Sequence, residues 1–275
     1  MLFRCGTYTL DCSRPLVMGI VNTTPDSFSD GGQFAHAEIA VQHGLELAEQ
    51  GADILDVGGE STRPDAVPVS LEEELRRVIP VVEALATKTQ IPVSVDTYKP
   101  EVMQAAIAAG ASMINDVFAL TQPGALEAVA AGNAGVCLMH CQGAPQTMQL
   151  DPHYDDVVRE VREFLRMRVQ ACEAGGIARD RILIDPGFGF GKNRAHNLAL
   201  LHDLGALTEL GQPVLVGLSR KSVLGRLTGN GVNERLHASL AAAVISVMKG
   251  ARIVRVHDVQ ATVDALKIIT AVEDL

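Results

Sequence analysis

Eight short runs of apolar, mostly β-branched residues recur along the chain, at 16–21, 54–57, 92–95, 112–115, 135–139, 181–184, 213–217 and 252–256. Most are apolar at every position, which is how strands read when both faces are covered. Longer segments with helical periodicity separate them. Ser70-Leu71-Glu72-Glu73 has the form of a capping box, and Leu71, Leu75, Val78, Val82 and Leu85 follow at steps of four and three. Pro80 is expected to kink that helix or to mark a break in it. Pro100 suits the first turn of the next helix and Gly110 its end. Val157, Val161, Phe164, Leu165, Val169 and Cys172 form another stripe, closed by Gly175-Gly176. Strand and helix alternating in this way predict a parallel α/β architecture. Eight repeats predict a (β/α)8 TIM barrel, with no linker or internal repeat dividing 1–275 into more than one domain. Residues 2–14 alternate around Gly6 like a small β-hairpin, expected to plug the barrel floor.

Composition agrees and removes other classes. A length of 275 residues is close to that of one such barrel, and 47% hydrophobic with 20% charged residues is an ordinary globular mixture. Net charge is −10, so the chain has no electrostatic footprint for nucleic acid, and any anionic ligand needs a local cationic pocket. The longest wholly apolar run, 240–245, is far below the roughly 18 residues of a membrane span. Arg4, Asp11 and Arg14 interrupt the first fifteen residues, where no signal peptide is read. A soluble cytoplasmic protein is expected. The cysteines at 5, 12, 137, 141 and 172 are odd in number and scattered, as reduced thiols are. Cys137 and Cys141 flank His140, yet four residues of strand hold their sulfurs about 13 Å apart. Zinc would need both at about 2.3 Å, so they are expected to be inert.

The chemistry gathers where the strands end. In order, those ends carry Asn22, the 58–63 loop, Asp96, Asn115-Asp116, His140, Asp185, Ser219-Arg220-Lys221, and Arg255 with His257. Active sites of this fold lie at that face of the barrel. Any one of these residues could simply cap the following helix; all eight ends being polar favours a site. Ser219-Arg220-Lys221-Ser222 opens a short helical stretch, where free N–H groups and cations suit an anion, and Arg255 and His257 add donors. The bland alternative is a basic helix start in water. Asp96 and Asp185 approach the mouth from opposite sides as acceptors for a donor-rich ligand edge or a developing positive charge. Asn115 offers both a donor and an acceptor to a flat heteroaromatic ring. Lys221 could alternatively be a Schiff-base lysine. The segments 23–32 and 58–65 are rich in turn residues and read as lids. Gly187-Phe188-Gly189-Phe190-Gly191 contains a Gly-x-Gly pattern that is weak as a dinucleotide signal. Phe188 and Phe190 read either as core or as the wall of an aromatic pocket.

The segments 18–32, 56–64, 94–97, 114–116, 138–140, 185–192, 219–221 and 255–258 together resemble the dihydropteroate synthase family, in family order through essentially the whole chain. The resemblance implies condensation of (7,8-dihydropterin-6-yl)methyl diphosphate with 4-aminobenzoate, giving 7,8-dihydropteroate and pyrophosphate in folate synthesis, by an enzyme that sulfonamides target. It further implies that Asp96, Asn115, Asp185 and Lys221 hold the pterin ring, with Asp96, Asp185 and Lys221 carrying the catalysis. Asn22 would ligate Mg²⁺, and Thr62, Arg63, Arg255 and His257 would contact the diphosphate. Phe28, Pro64, Phe190 and Ser222 would form the aminobenzoate pocket, and the assembly would be a homodimer. Asp65 and Thr23 depart from the usual family pattern, both in the lid segments. Competing readings are a pterin-binding methyltransferase, a non-catalytic pterin binder and a Schiff-base aldolase.

Overall fold

The structure is a computed structural model that describes residues 1–23, 33–60, 68–143 and 147–273. The chain opens with a two-stranded antiparallel hairpin, β1 (Leu2–Cys5) and β2 (Tyr8–Asp11), paired from Leu2↔Asp11 to Cys5↔Tyr8. Eight parallel strands follow: β3 (Leu16–Asn22), β4 (Ile54–Gly58), β5 (Val93–Asp96), β6 (Met113–Asp116), β7 (Gly135–Met139), β8 (Ile182–Asp185), β9 (Val214–Val216) and β10 (Ala251–Val256). They hydrogen-bond in sequence order, and β10 returns to β3 to close the barrel. The helices between them are α1 (Gln33–Glu49), α2 (Leu71–Lys88), α3 (Pro100–Ala108), α4 (Ala125–Ala130), α5 (Val157–Ala174), α6 (Arg194–His202), α7 (Gly205–Thr208), α8 (Ser222–Thr228), α9 (Leu236–Met248) and α10 (Val259–Glu273). All eight strands lie where the hydrophobic runs place them, with ends shifted by one residue at most, and the hairpin ends at Asp11 within the expected 2–14 segment.

Alternation along each strand divides the core in two. Val17, Leu55, Val95, Leu138 and Val254 face outward and pack on the helices. Met18, Ile54, Met113, Cys137, Leu183, Leu215 and Ile253 face inward as a separate apolar floor, joined from below by Phe3, Cys5 and Cys12 of the hairpin region. The plug is tight: a Cβ on Gly135, at the start of β7, would sit 2.5 Å from the Phe3 ring. This floor puts dry packing at the N-terminal ends of the strands and leaves the C-terminal ends for chemistry.

The Ser70 cap forms by half. Ser70 accepts from the Glu73 backbone N–H at 3.2 Å, but the Glu73 carboxylate turns to Arg76 and Arg77 instead of returning to Ser70. Two guanidiniums one turn on offer more to a carboxylate than one backbone N–H does, and they hold Glu73 down to about 2, through the Arg76 hydrogen bond most of all. Helix α2 runs unbroken through Pro80. Ser70→Ala is expected to cost about 1 kcal/mol in chemical denaturation, with activity intact. A loss below a few tenths would mean the acidic first turn holds the helix start without the cap.

All five cysteines are unpaired, with Cys137 buried in the floor. Among the described residues no helix is long and apolar enough to cross a membrane, and no group of three or more His, Cys, Asp or Glu could hold a metal.

Candidate active site at the barrel mouth

Two residues beyond each floor position, the same alternation points inward again. From Ile54, Met113, Leu183 and Ile253 it reaches Asp56, Asn115, Asp185 and Arg255; on β5 it selects Asp96, and on β3 Asn22. A polar layer thus lies directly on an apolar one. Asp56 is wholly buried, and Asp185 and Asn115 are about as enclosed, at 5% and 6% exposure.

One guanidinium organises one side of this layer. Arg255 donates from Nε to Asp56 Oδ2 at 2.6 Å and from Nη2 to Asp96 Oδ2 at 2.8 Å. Asn115 donates from Nδ2 to the same Asp56 oxygen at 3.2 Å, which fixes its amide orientation. Asp56 Oδ1 is buried with no hydrogen-bond partner among the described residues. Burial pushes Asp96 well above the usual carboxylate range, Arg255 pulls it back, and the Asp56 charge opposes Arg255. One cation is thus shared by two buried carboxyl groups beneath the mouth.

Across the barrel, Asp185 Oδ1 accepts the Gly187 N–H at 2.7 Å, while burial raises its pKa against the pull of Lys221. Lys221 precedes α8 and reaches back over the 187–191 turn. It donates to the Phe188 carbonyl at 2.5 Å and lies 4.6 Å from the centre of the Phe190 ring. Burial lowers Lys221 to about 8. The turn itself is fully tied. Lys192 donates to the Gly187 and Phe190 carbonyls, Lys221 to that of Phe188, Gln149 to that of Gly189 and Tyr154 to that of Gly191. Phe188 belongs to the outer core, whereas Phe190 joins Val117, Met139 and Met148 near the mouth.

Not every polar strand end joins this layer, because alternation sends some outward. Asp116 is one residue past inward Asn115, and its carboxylate accepts the Phe118 and Leu120 N–H groups at 2.8 Å each, as a turn cap. His140 likewise faces the helices, with its ring edge-on to Phe164 at 4.9 Å. Burial lowers it to about 3, so it is neutral. Arg220 adopts φ +57° and forms a two-pronged pair with Asp258 at 2.6 and 3.1 Å. Ser219 is buried, and its hydroxyl lies 3.0 Å from His257 Nδ1. Ser222 is exposed at the start of α8. Thr23 is buried against the Gly58 carbonyl at 3.1 Å. Phe28, Thr62, Arg63, Pro64, Asp65 and most of both lid segments lie outside the described residues.

Two residues without an expected role prove central. Asp56 could have been found as a carboxylate at an inward position of an otherwise apolar strand, since it repeats the parity of Ile54. Lys192, 2% exposed, follows the glycine-rich turn and is pushed down by burial to about 7. Nothing in the local pattern shows that its chain folds back beneath that turn. A third group, Lys99 with Glu60 at 2.5 Å and with buried Glu74, anchors the chain just before residue 61.

For a divalent cation, the described residues offer Asn22, half-buried and facing the mouth beside Gly58. Its amide oxygen is a hard ligand of the kind Mg²⁺ takes singly, with substrate phosphate oxygens and waters supplying the rest.

Comparison with known proteins agrees with this geometry. A sequence profile described as Pterin binding enzyme matches residues 18–257. The dihydropteroate synthase of Escherichia coli K12 is 54% identical over 270 residues, covering 98% of this chain and 95% of the relative. A Xanthomonas albilineans dihydropteroate synthase solved with 4-aminobenzoic acid is 57% identical, with TM-score 0.94 over 100% of this chain and 98% of that one. Another structure of the X. albilineans enzyme, in complex with 7,8-dihydropteroate, is 55% identical, with TM-score 0.91 and full coverage of both chains. With its barrel, its polar mouth layer and these matches along nearly its full length, the chain belongs to the dihydropteroate synthase family of pterin binding enzymes.

Proposed function

We propose that this chain condenses (7,8-dihydropterin-6-yl)methyl diphosphate with 4-aminobenzoate to give 7,8-dihydropteroate and pyrophosphate, a step of folate synthesis. The observation that carries the reading is the inward layer of Asp56, Asp96, Asn115, Asp185 and Arg255 with Lys221 above it. Two carboxylates and a fixed amide match the donor and acceptor edge of an aminopyrimidinone. In this reading Asp96, Asn115, Asp185 and Lys221 hold the pterin. Arg255 and His257, with Thr62 and Arg63, meet the diphosphate, and Phe28, Pro64, Phe190 and Ser222 enclose 4-aminobenzoate.

The chemistry needs one bond broken and one made. The C–O electron pair leaves with pyrophosphate, the amine lone pair forms the C–N bond, and the nitrogen releases one proton to pyrophosphate. Where C–O cleavage runs ahead, positive charge spreads into the pterin, and the carboxylates beneath it stabilise that charge without reorganising. Mg²⁺, held by Asn22 and the diphosphate, would supply charge stabilisation to the departing group. No covalent bond to the protein is required. We further assign the whole chain, 1–275, to one domain working in the cytoplasm, a reading supported by five unpaired cysteines. A homodimer is supported by exposed Ile245 and Met248 on α9 and Ile268 and Val272 on α10.

Pyrophosphate release from the pterin diphosphate, followed with Mg²⁺ and with or without 4-aminobenzoate, tests the proposal. Release is expected to be much faster with the amine, to yield dihydropteroate, and to stop on chelation. Tight pterin binding with no release under either condition would leave a binder or a methyltransferase instead.

A further inference from the structure

The 187–191 turn carries the backbone carbonyl against which Lys221 is set, so whatever fixes the turn fixes Lys221. Gly187, Gly189 and Gly191 have φ of +68°, +82° and +59°. A Cβ on Gly187 would lie 1.9 Å from the His140 carbonyl oxygen, and one on Gly191 2.3 Å from that of Gln142. The turn is therefore pressed onto the segment after β7. Close approach brings together acceptors that repel one another: the Gly187, Phe190 and His140 carbonyls and His140 Nδ1 all converge on one point.

Lys192 Nζ occupies that point. It donates to His140 Nδ1 at 2.9 Å, Phe190 O at 2.9 Å and Gly187 O at 3.0 Å, with His140 O more distant at 3.4 Å. Three short bonds match the three protons of an ammonium. An ammonium only donates, so Nδ1 is assigned as the acceptor and the proton of neutral His140 to Nε2. Among the described residues Lys192 Nζ hydrogen-bonds only to His140 and to the turn's carbonyls; it acts from beneath the turn while Lys221 grips it from above. Asn197 completes the frame, accepting the Gly189 N–H at 2.7 Å and donating to the Lys192 carbonyl at 3.1 Å.

We propose that Lys192 is a positioning residue for the pterin pocket: its buried amino group clamps the 187–191 turn to His140 and so sets Lys221 at the mouth, whereas Asp185 is placed by β8 itself. The inference rests on the functional reading above. It makes a specific claim of coupling. Removing Lys192 releases the Phe188 carbonyl and the Phe190 ring, and Lys221 loses its fixed place over the pterin. Where Lys221 has no ammonium, the clamp has little left to position.

A double-variant cycle tests this, with dissociation constants for the pterin diphosphate measured calorimetrically without 4-aminobenzoate. Lys192→Met is expected to weaken binding about tenfold on its own and less than twofold in the Lys221→Met background. Lys192→Gln, which keeps two donors in the same space, is expected to weaken binding less than Lys192→Met does, and serves if the methionine variant does not fold. Equal losses in both backgrounds, or affinity retained in folded Lys192→Met, would overturn the positioning role. Failure of both single variants to fold would make Lys192 a folding determinant instead and overturn it too. Absence of pterin affinity in the unsubstituted protein would overturn the functional reading itself, a result that the variants cannot mimic.

Discussion

Asp185→Asn is expected to lower kcat by about 10²- to 10³-fold while leaving the protein folded and its affinity for pyrophosphate within twofold of the original. The substitution keeps size, shape and an oxygen for the Gly187 N–H, which is the one hydrogen bond the Asp185 carboxylate makes among the described residues. It removes the negative charge, and charge is what the proposed transition state uses as the C–O bond opens. In the proposed reading diphosphate is met by Arg255 and His257 rather than by Asp185, so its binding should barely respond. Stability should move the other way. Burial raises the Asp185 pKa above its unfolded value. Such a group favours the folded state most at low pH, and this contribution is lost as pH rises through the folded pKa. At neutral pH the Asp185 carboxyl group therefore costs stability, and asparagine does not. Activity falling while the denaturation midpoint rises cannot come from damage to the fold. Steady-state kinetics, product inhibition by pyrophosphate and urea denaturation at pH 7 measure all three. Retention of kcat would remove the charge-stabilising role.

The fold could be read from the sequence because every strand of a closed parallel barrel is apolar on both faces and every connection is helical. Both signals are local, and they agree at all eight repeats. The site was legible in part for the same reason. Asp96, Asn115, Asp185 and Arg255 announce themselves by ending apolar runs. What an ending cannot show is direction. Asp116 and His140 also end strands, yet each stands one residue off the inward parity and faces the helices. Counting from floor residues such as Met113 and Cys137 would have separated them, since alternation is strict along a strand. The same count finds Asp56. Arg220 and Lys192 are a different case. The first is claimed by Asp258 and the second by carbonyls of a folded-back turn, both partnerships between segments whose meeting no local pattern encodes.

Arg255→Met should produce the largest loss of stability, and a loss that depends on pH. Among the described residues the guanidinium is the single cation hydrogen-bonded to Asp56 and Asp96, and methionine fills much of its stem volume without replacing its charge. Breaking a buried pair by removing one partner costs about 3–5 kcal/mol, because the carboxylates left behind have lost both water and countercharge. Here two are left behind. Burial already raises Asp96, and Arg255 is what restrains it; without that restraint it should bind a proton more tightly still. A carboxyl whose folded pKa lies above its unfolded value stabilises at low pH and loses that contribution as pH rises. The deficit of Arg255→Met relative to the unsubstituted protein should therefore be smaller at pH 5 than at pH 8. Adding Asp56→Asn removes one of the two stranded carboxylates and should recover part of the loss at pH 8. Pterin affinity should not recover in the double variant, because Asn115 has then lost its Asp56 carboxylate acceptor and Asp96 its partner. Equal deficits at both pH values would mean that Arg255 contributes by packing alone, and the polar layer would then owe its order to the strands rather than to its charges.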